Sequence, residues 1–441
     1  MSELIVAIDL GTSHITGIVG KKKADGGASI IAYETVETDN CIRRGIIYNI
    51  DKTTTQVGIL LSKLEMHLNG DYIDKVYVGI GGQSLRTIDH DEEMDFAEGA
   101  KVTEQDIADL DARCENFKPN LLDVLGIAPP VYSIDGRKDT KAEGVFCKHL
   151  VAHYKLVVGR AMIRNNIKRS IEAIPEKALA GILVAPLALA DAILTSKDKE
   201  LGCALIDFGA GVTSVSIYKN SYLHHLCVIP LGGHLITRDL VSLQLTENDA
   251  EYLKKEKGSA ILHLEDENES IKVEMEETNR EVKLSDLNAI IEGRAKEIVE
   301  NIYARICEVI ELRQLGAGIV LAGYAAELAD LPELLKEKCG VKIRFSPIQK
   351  GLVDSSDEML GNPLYMMAIS LMLKGTESCV SAYSAVKVDE DGENTSDAEK
   401  EVNVVIEEDR PKRPVKTPPV VKPKKTKKPF ADRFRDLFRE D

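Results

Sequence analysis

The chain has 441 residues, is 44% hydrophobic and carries a formal net charge of −16. That length exceeds what one core usually holds, so two or more domains are expected, and the acidic balance excludes a general nucleic-acid binder. The 8 cysteines are scattered with no Cys-x-x-Cys pair, which reads as reduced thiols in a cytoplasm. The first apolar run is short, interrupted by Asp9 and without a basic flank, so it is not read as a signal peptide. Nowhere do 18 apolar residues run together, so no segment is expected to span a bilayer.

Leu4-Ile5-Val6-Ala7-Ile8-Asp9-Leu10 is an apolar run that ends in a single carboxylate, Gly11-Thr12 turn the chain, and Thr16-Gly17-Ile18-Val19 return it. Runs bounded by glycine read as a hairpin of buried strands. The turn leaves N–H groups unpaired beside Gly11 and Thr12, a concavity that suits a phosphate. Asp9 suits a hydrated Mg²⁺ instead, because two anions repel. Ser29 to Val36 reads as a third strand, Lys52 to about Asn69 as a helix behind Asn49, and Val76 to Ile80 as another strand. Gly79-Ile80-Gly81-Gly82 is glycine-rich, yet no helix opens behind it, so a strand entering an insertion is preferred to a dinucleotide loop.

From Gln83 to Gly159 the rhythm changes. Thr103-Glu104-Gln105-Asp106 is a capping box for a helix to about Phe117, Pro129-Pro130 is expected to break the chain, and 131–134 and 148–158 read as extended. A small α+β insertion fits. Arg164 to Ile174 is an amphipathic helix and Leu179 to Val184 a strand, after which Pro186 opens an apolar helix through Leu194.

Ala204-Leu205-Ile206-Asp207-Phe208-Gly209-Ala210-Gly211 repeats the opening pattern, with Thr213 to Tyr218 returning and Tyr222 to Ile229 as a third strand. Two Asp-Gly hairpins far apart suggest two halves of one fold with a nucleotide between them. His224-His225-x-Cys227 has the residue types of a metal site, but alternate side chains of a strand point to opposite faces, so a metal is disfavoured there. Pro230-Leu231-Gly232-Gly233 leads into a helix from near Ile236, Thr246 caps another, and Ile261 to Val282 suits an exposed hairpin. Leu287 to Leu315 reads as one long helix with a core stripe. Ala317 to Gly323 is a buried strand, and Pro363 starts a helix through Leu373.

Blocks of like charge from Thr376 read as a disordered linker, acidic from Asp389 and rich in Pro and Lys over Arg410 to Lys428. The Pro/Lys run acts as a spacer or binds acidic partners. In the last residues, at about 100° per position, Phe430, Phe434, Leu437 and Phe438 share one face. Arg433 and Arg435 flank that face and Asp432 and Asp436 lie opposite. This is the pattern of a helix lying in an anionic membrane surface, with a protein groove as the alternative. So short a helix forms only on binding.

Asp9-Leu10-Gly11-Thr12 and Asp207-Phe208-Gly209-Ala210-Gly211-Val212-Thr213 resemble the two phosphate motifs of the actin, Hsp70 and sugar-kinase superfamily. With the early insertion and the extreme C-terminus, the chain is identified as a member of the FtsA family, the bacterial actin-like cell-division proteins. The resemblance implies an α/β, actin-like (ribonuclease H-like, duplicated) two-domain ATPase fold with an inserted small α+β subdomain, 1C. It divides the chain into 1A (1–82, and 160–198 with the hinge), 1C (83–159), 2A (199–235, and 306–375 with the final core helix), 2B (236–305), a linker (376–426) and a membrane helix (427–441). Many superfamily members have Glu before the hinge proline, where this chain has Ala185.

The implied cofactors are ATP and Mg²⁺. Asp9 and Asp207 would position the metal, and Gly11, Thr12, Gly209, Gly211 and Thr213 would hold the phosphates. Gly232 and Gly233 would bring a helix N-terminus to the nucleotide, and Gly323 would pass under the base. The second glycine of that last motif is Tyr324 here, a phenol that stacks on adenine or fills its pocket. The implied partners are further copies of the chain through subdomain 1C, an anionic membrane surface at the division site, and the C-terminal tail of FtsZ in subdomain 2B. Arg294 resembles an important family arginine there, or is an ordinary surface residue. No residue is an obvious water-positioner, so at most a weak ATPase is expected. A sugar or carboxylate kinase would need an Asp base, and none is assignable. An Hsp70-type chaperone would need a peptide-binding domain. A pilus-assembly actin homologue shares the core and the early small domain, and the C-terminal helix argues against it.

Overall fold

The computed structural model describes residues 3–24, 27–97, 100–274 and 279–381. Residues 1–383 form one unit and 384–441 a second, none of which is among the described residues. The expected interfacial helix, with Phe430, Arg433, Phe434, Arg435, Leu437 and Phe438, and most of the expected linker therefore lie outside them.

Each half of the first unit is built on the same sheet plan. In the first half, Leu4–Leu10, His14–Lys22 and Ala28–Glu37 run antiparallel in sequence order. Lys75–Ile80 then pairs parallel to Leu4–Leu10, and Ala178–Val184 parallel to Lys75–Ile80. In the second half Cys203–Phe208, Thr213–Lys219 and Tyr222–Ile229 repeat the meander. Gly318–Ala322 then pairs parallel to Cys203–Phe208, and Ile343–Phe345 parallel to Gly318–Ala322. Registers match as well, with Asp9 opposite Thr16 and Asp207 opposite Ser214. Strands buried on both faces read as continuous apolar runs, which is why both hairpins were legible.

Helices cover the sheets where apolar stripes dictate. Ile50–Glu65, capped by Asn49 accepting from Lys52 N at 3.0 Å, buries Val57, Leu60, Leu61 and Leu64. The long helix Leu284–Cys307 buries Leu287, Ile291, Ala295, Ile298, Ile302 and Ile306 in the core of the second half. It stops short of the expected Leu315, and Leu312–Gln314 forms a separate 3-10 turn. Ala185–Ile193, with Pro186 in its first turn, packs against Pro363–Lys374 in the core of the first half.

The insertion has its own core of Leu110, Cys114, Leu150, Tyr154 and Leu156. Its helix Glu104–Glu115 carries the capping box, with Thr103 N donating to Asp106 at 2.8 Å and Asp106 N to Thr103 Oγ1 at 3.2 Å. Pro129-Pro130 do not break the chain: Asp123–Ile134 is one strand. His153 pairs Val131 and Lys155 pairs Ala128, so the two prolines fall in a bulge where no ladder N–H is needed. The insertion's Arg86–Asp95 strand meets Tyr222–Ile229 through the pair Arg86–Cys227, so its sheet continues that of the second half.

Two further expectations are corrected. Of the 261–282 segment, only Ser270–Glu274 and Asn279–Lys283 pair as a hairpin, and Leu264–Asn268 is a 3-10 turn closed by Asp266 on His263 N. Residues 376–381 do not start the linker. Thr376 N and Glu377 N donate to the Tyr77 phenol, Cys379 is fully buried, and Val380 pairs Ile73.

Candidate functional site

The two Asp-Gly turns meet where the halves adjoin. A methyl group on Gly211 would collide with the Thr12 side chain, so the turns pack in direct contact. Thr12 is held from behind: its Oγ1 accepts from Gly45 N at 3.0 Å, and its carbonyl accepts from Thr38 Oγ1 at 2.8 Å. Gly45 in turn stacks on Gly82, and both have positive φ (68° and 97°), a region where a side chain is strained. That close approach is the use of Gly81-Gly82 at the strand end. Among the described residues the N–H groups of Thr12, Ala210 and Gly211 have no protein acceptor, which makes the turns a concavity for an anion.

Asp9 and Asp207 sit at the strand ends beside these turns, each largely shielded from solvent. Burial pushes the Asp9 carboxyl up to about 7, with Asp207 adding to the rise. Burial alone pushes Asp207 up to about 6. No protein cation offsets either shift. Two neighbouring carboxylates short of positive charge form a donor set that fits a divalent cation.

Gly323, at φ 89°, lies against the same pole; a Cβ there would be 2.5 Å from Asp207 Oδ1 and 2.6 Å from Phe208 O. Gly232 and Gly233 dock from the other side. The helix Gly233–Leu240 begins at the glycine itself, not near Ile236. Its first two N–H groups are spent on the turn, Gly233 N on Gly209 O at 3.1 Å and His234 N on Ala210 O at 2.8 Å. They secure the second turn and are not free for a ligand. Thr213 is also placed differently from its expected role. It is fully buried and its hydroxyl donates to Leu231 O at 2.9 Å, so it shapes the turn from inside rather than facing the gap.

Beyond Gly323 the chain turns towards a neighbouring helix. Tyr324 opens a 3-10 turn running to Glu327, and its ring is 40% exposed with Lys255 Nζ 5.0 Å from the centroid. Lys255 belongs to the helix Glu247–Lys257, capped by Thr246. On that helix buried Lys254 donates to Gly233 O at 3.1 Å, Thr237 Oγ1 at 2.8 Å and Glu251 Oε2 at 2.5 Å. From the first half, His14 feels the same helix. Burial and Lys255 hold its pKa down, while Glu37 and Glu251 pull it up. Glu251, Lys254, Lys255, Glu327 and His14 were not singled out from sequence. The Glu-x-x-Lys-Lys spacing behind the Thr246 cap was the available signal, and such charge on a helix ordinarily reads as a solvated face.

Arg294 stands apart, on Leu284–Cys307. Its Nε donates to Asp239 Oδ2 at 2.6 Å, and the guanidinium also pairs with Glu297. With Arg238, Ile290 and Gly293 these residues line a surface depression of about 500 Å³. Helix Gly233–Leu240 thus touches the second Asp-Gly turn at one end and this depression at the other.

A family model for the cell division protein FtsA matches residues 204–370. The cell division protein FtsA of Porphyromonas gingivalis is 33% identical over 384 residues, 86% of this chain and 80% of the relative. That of Neisseria meningitidis is 28% identical over 386 residues, 83% and 89% of the two chains. Among solved structures, a chain of the PilM-PilN type IV pilus biogenesis complex superposes with a TM-score of 0.58 at 14% identity. It covers 85% of this chain and 98% of that one, a likeness of fold alone. A duplicated sheet with facing Asp-Gly turns, and a relative a third identical over most of both chains, lead to one conclusion: the chain belongs to the FtsA family of cell-division proteins and has the actin-like fold.

Proposed function

We propose that the gap between the halves binds Mg·ATP and that the chain acts in cell division as a membrane-attached, self-assembling filament protein that tethers FtsZ. The observation that carries the nucleotide reading is the meeting of the two turns, Thr12 against Gly211, with Asp9 and Asp207 beside them and lacking a cationic partner. Asp9 and Asp207 would hold Mg²⁺. The unpaired N–H groups of Thr12, Ala210 and Gly211 would face the phosphates, with Gly11 and Gly209 permitting the turns. Gly323 lets the nucleoside pass close to the strand end, and Tyr324 offers a face for the base. Mg²⁺, when bound, supplies the positive charge that the carboxylates and phosphates otherwise lack.

The depression around Arg294 is the seat proposed for the FtsZ tail: Arg238 beside apolar Ile290 suits a peptide with mixed acidic and apolar character, while Arg294 is held by Asp239 and Glu297. Self-assembly would use the insertion. The amphipathic pattern at Phe430, Phe434, Leu437 and Phe438 supports attachment to the inner face of the cell membrane, and many weak tails on one filament hold by avidity.

Calorimetric titration of Mg·ATP into wild type and Asp207→Ala tests the site, and the variant should bind at least about tenfold more weakly. Equal affinities would remove the proposal. Flotation on anionic vesicles tests attachment. Full-length protein and Asp436→Lys should float, whereas Phe434→Glu and a chain ending at Lys422 should not.

A further inference from the structure

The helix Ala161–Glu172 carries charge that its own folding does not explain. Ile163, Ile167 and Ile171 are buried against the first half, and Met162, Lys168 and Arg169 are exposed on the other side. A helix N-terminus favours acids. Here the cap is Arg160, which makes no side-chain capping bond, and no acid stands in the first turn. Lys168 has Glu172 at 3.8 Å, whereas Arg160 and Arg169 have no acidic partner among the described residues.

The small hairpin of Ile42–Arg43 and Ile46–Ile47 extends this cationic surface. Asn166 Nδ2 donates to Ile47 O at 3.1 Å, which sets the hairpin beside the helix. Gln83 N donates to Arg44 O at 3.0 Å and Arg160 N to Ser84 Oγ at 3.4 Å, so Arg44 and Arg160 are held by adjacent residues of one loop. Arg44 is exposed, at φ 50°, and has no acidic partner among the described residues. Tyr48 is exposed at the base of the hairpin, with the Arg43 guanidinium 3.9 Å from its ring centroid.

The net charge of the chain is −16, and residues 384–441 contain as many basic as acidic side chains, so the whole excess lies on the folded unit. A body so acidic is repelled by an anionic surface unless it turns a cationic side towards it. Resting on the reading of the chain as membrane-attached, we infer that the exposed face of Ala161–Glu172, with the Arg44 hairpin beside it, lies against anionic lipid headgroups. Arg44, Arg160, Lys168 and Arg169 pair with the phosphates, while Tyr48 and Met162 sit at the level of the headgroups. The C-terminal pattern then supplies attachment, and this face supplies the orientation of the folded unit.

The test is flotation of the full chain on vesicles of phosphatidylcholine mixed with phosphatidylglycerol. The double variant Lys168→Glu/Arg169→Glu should bind at least about tenfold more weakly than wild type, each cation at an anionic surface being worth about fivefold. Lys336→Glu/Lys342→Glu makes the same change of net charge at exposed lysines of the second half, and should alter binding by less than about threefold. On bound wild type, acetylation of Lys168 by an N-hydroxysuccinimide ester should slow several-fold relative to free protein, and that of Lys336 should not. Thermal melts followed by circular dichroism confirm that both double variants fold. Equal flotation of the two variants, or an unprotected Lys168 on bound wild type, overturns the inference while sparing attachment through the C-terminal segment. Failure of wild type to float on the mixed vesicles overturns attachment and the inference together.

Discussion

The two hairpins share one sequence pattern and divide the labour differently. In the first, Thr12 projects across the gap onto Gly211 and is braced from behind by Gly45 N and Thr38. In the second, Thr213 turns inward to the Leu231 carbonyl, and the contact across the gap is left to a glycine. Their carboxyls behave alike: burial raises both, and repulsion between the two adds to the rise. A duplicated fold does not give equivalent sites. Where two copies of one turn must pack tip to tip, one supplies the side chain and the other the space for it.

A side chain at the glycine behind the second carboxylate should produce the largest effect. Gly323→Val puts a branched side chain at φ 89° against Asp207. The backbone alone should cost about 1–2 kcal/mol in urea denaturation, and Mg·ATP binding should be lost. Normal binding in a stable Gly323→Val variant would mean that the nucleotide does not pass this point.

The division between the threonines is sharpened by a pair of variants. Thr213→Val leaves the Leu231 carbonyl without its donor and should lower stability by about 1–3 kcal/mol, with Mg·ATP affinity changed by less than about threefold. Thr12→Val should do the reverse, reducing affinity more than stability, since its side chain bridges the halves at the proposed phosphate site. Identical profiles for the two would break the comparison.

A further effect expected is one of pH. A carboxyl whose folded pKa is raised binds its proton more tightly in the folded than in the unfolded chain. The stability it contributes is therefore full below the unfolded value of about 4 and is lost as pH rises towards about 7. Without nucleotide, wild type should lose stability relative to Asp9→Asn between about pH 4 and pH 7. Mg²⁺ must displace those protons, so Mg·ATP affinity should rise over the same interval. Parallel melting curves across that range would show that Asp9 is not held neutral.

Much of the architecture is local and was readable. The apolar strands, the Thr103 and Thr246 caps and Pro186 in its first turn depend on periodicity and on nearby backbone donors, which the sequence states directly. Asp9, Gly11, Asp207 and Gly211 were visible because each ends or turns such a strand. Tertiary structure decided the rest. Pro129-Pro130 stay in a strand because their own strand bulges there, two residues opposite the single Tyr154, a register set by His153 and Lys155 some twenty-five residues later. Thr376 to Ser381 dock because the Tyr77 phenol and the pocket for Cys379 lie three hundred residues earlier in the chain. Glu251, Lys254, Lys255 and Glu327 read as surface charge until a second helix and a glycine turn close around them. Hydrophobic period and capping are properties of neighbours in sequence. Desolvation, bulge register and contact across a gap are properties of neighbours in space, and only the fold specifies those.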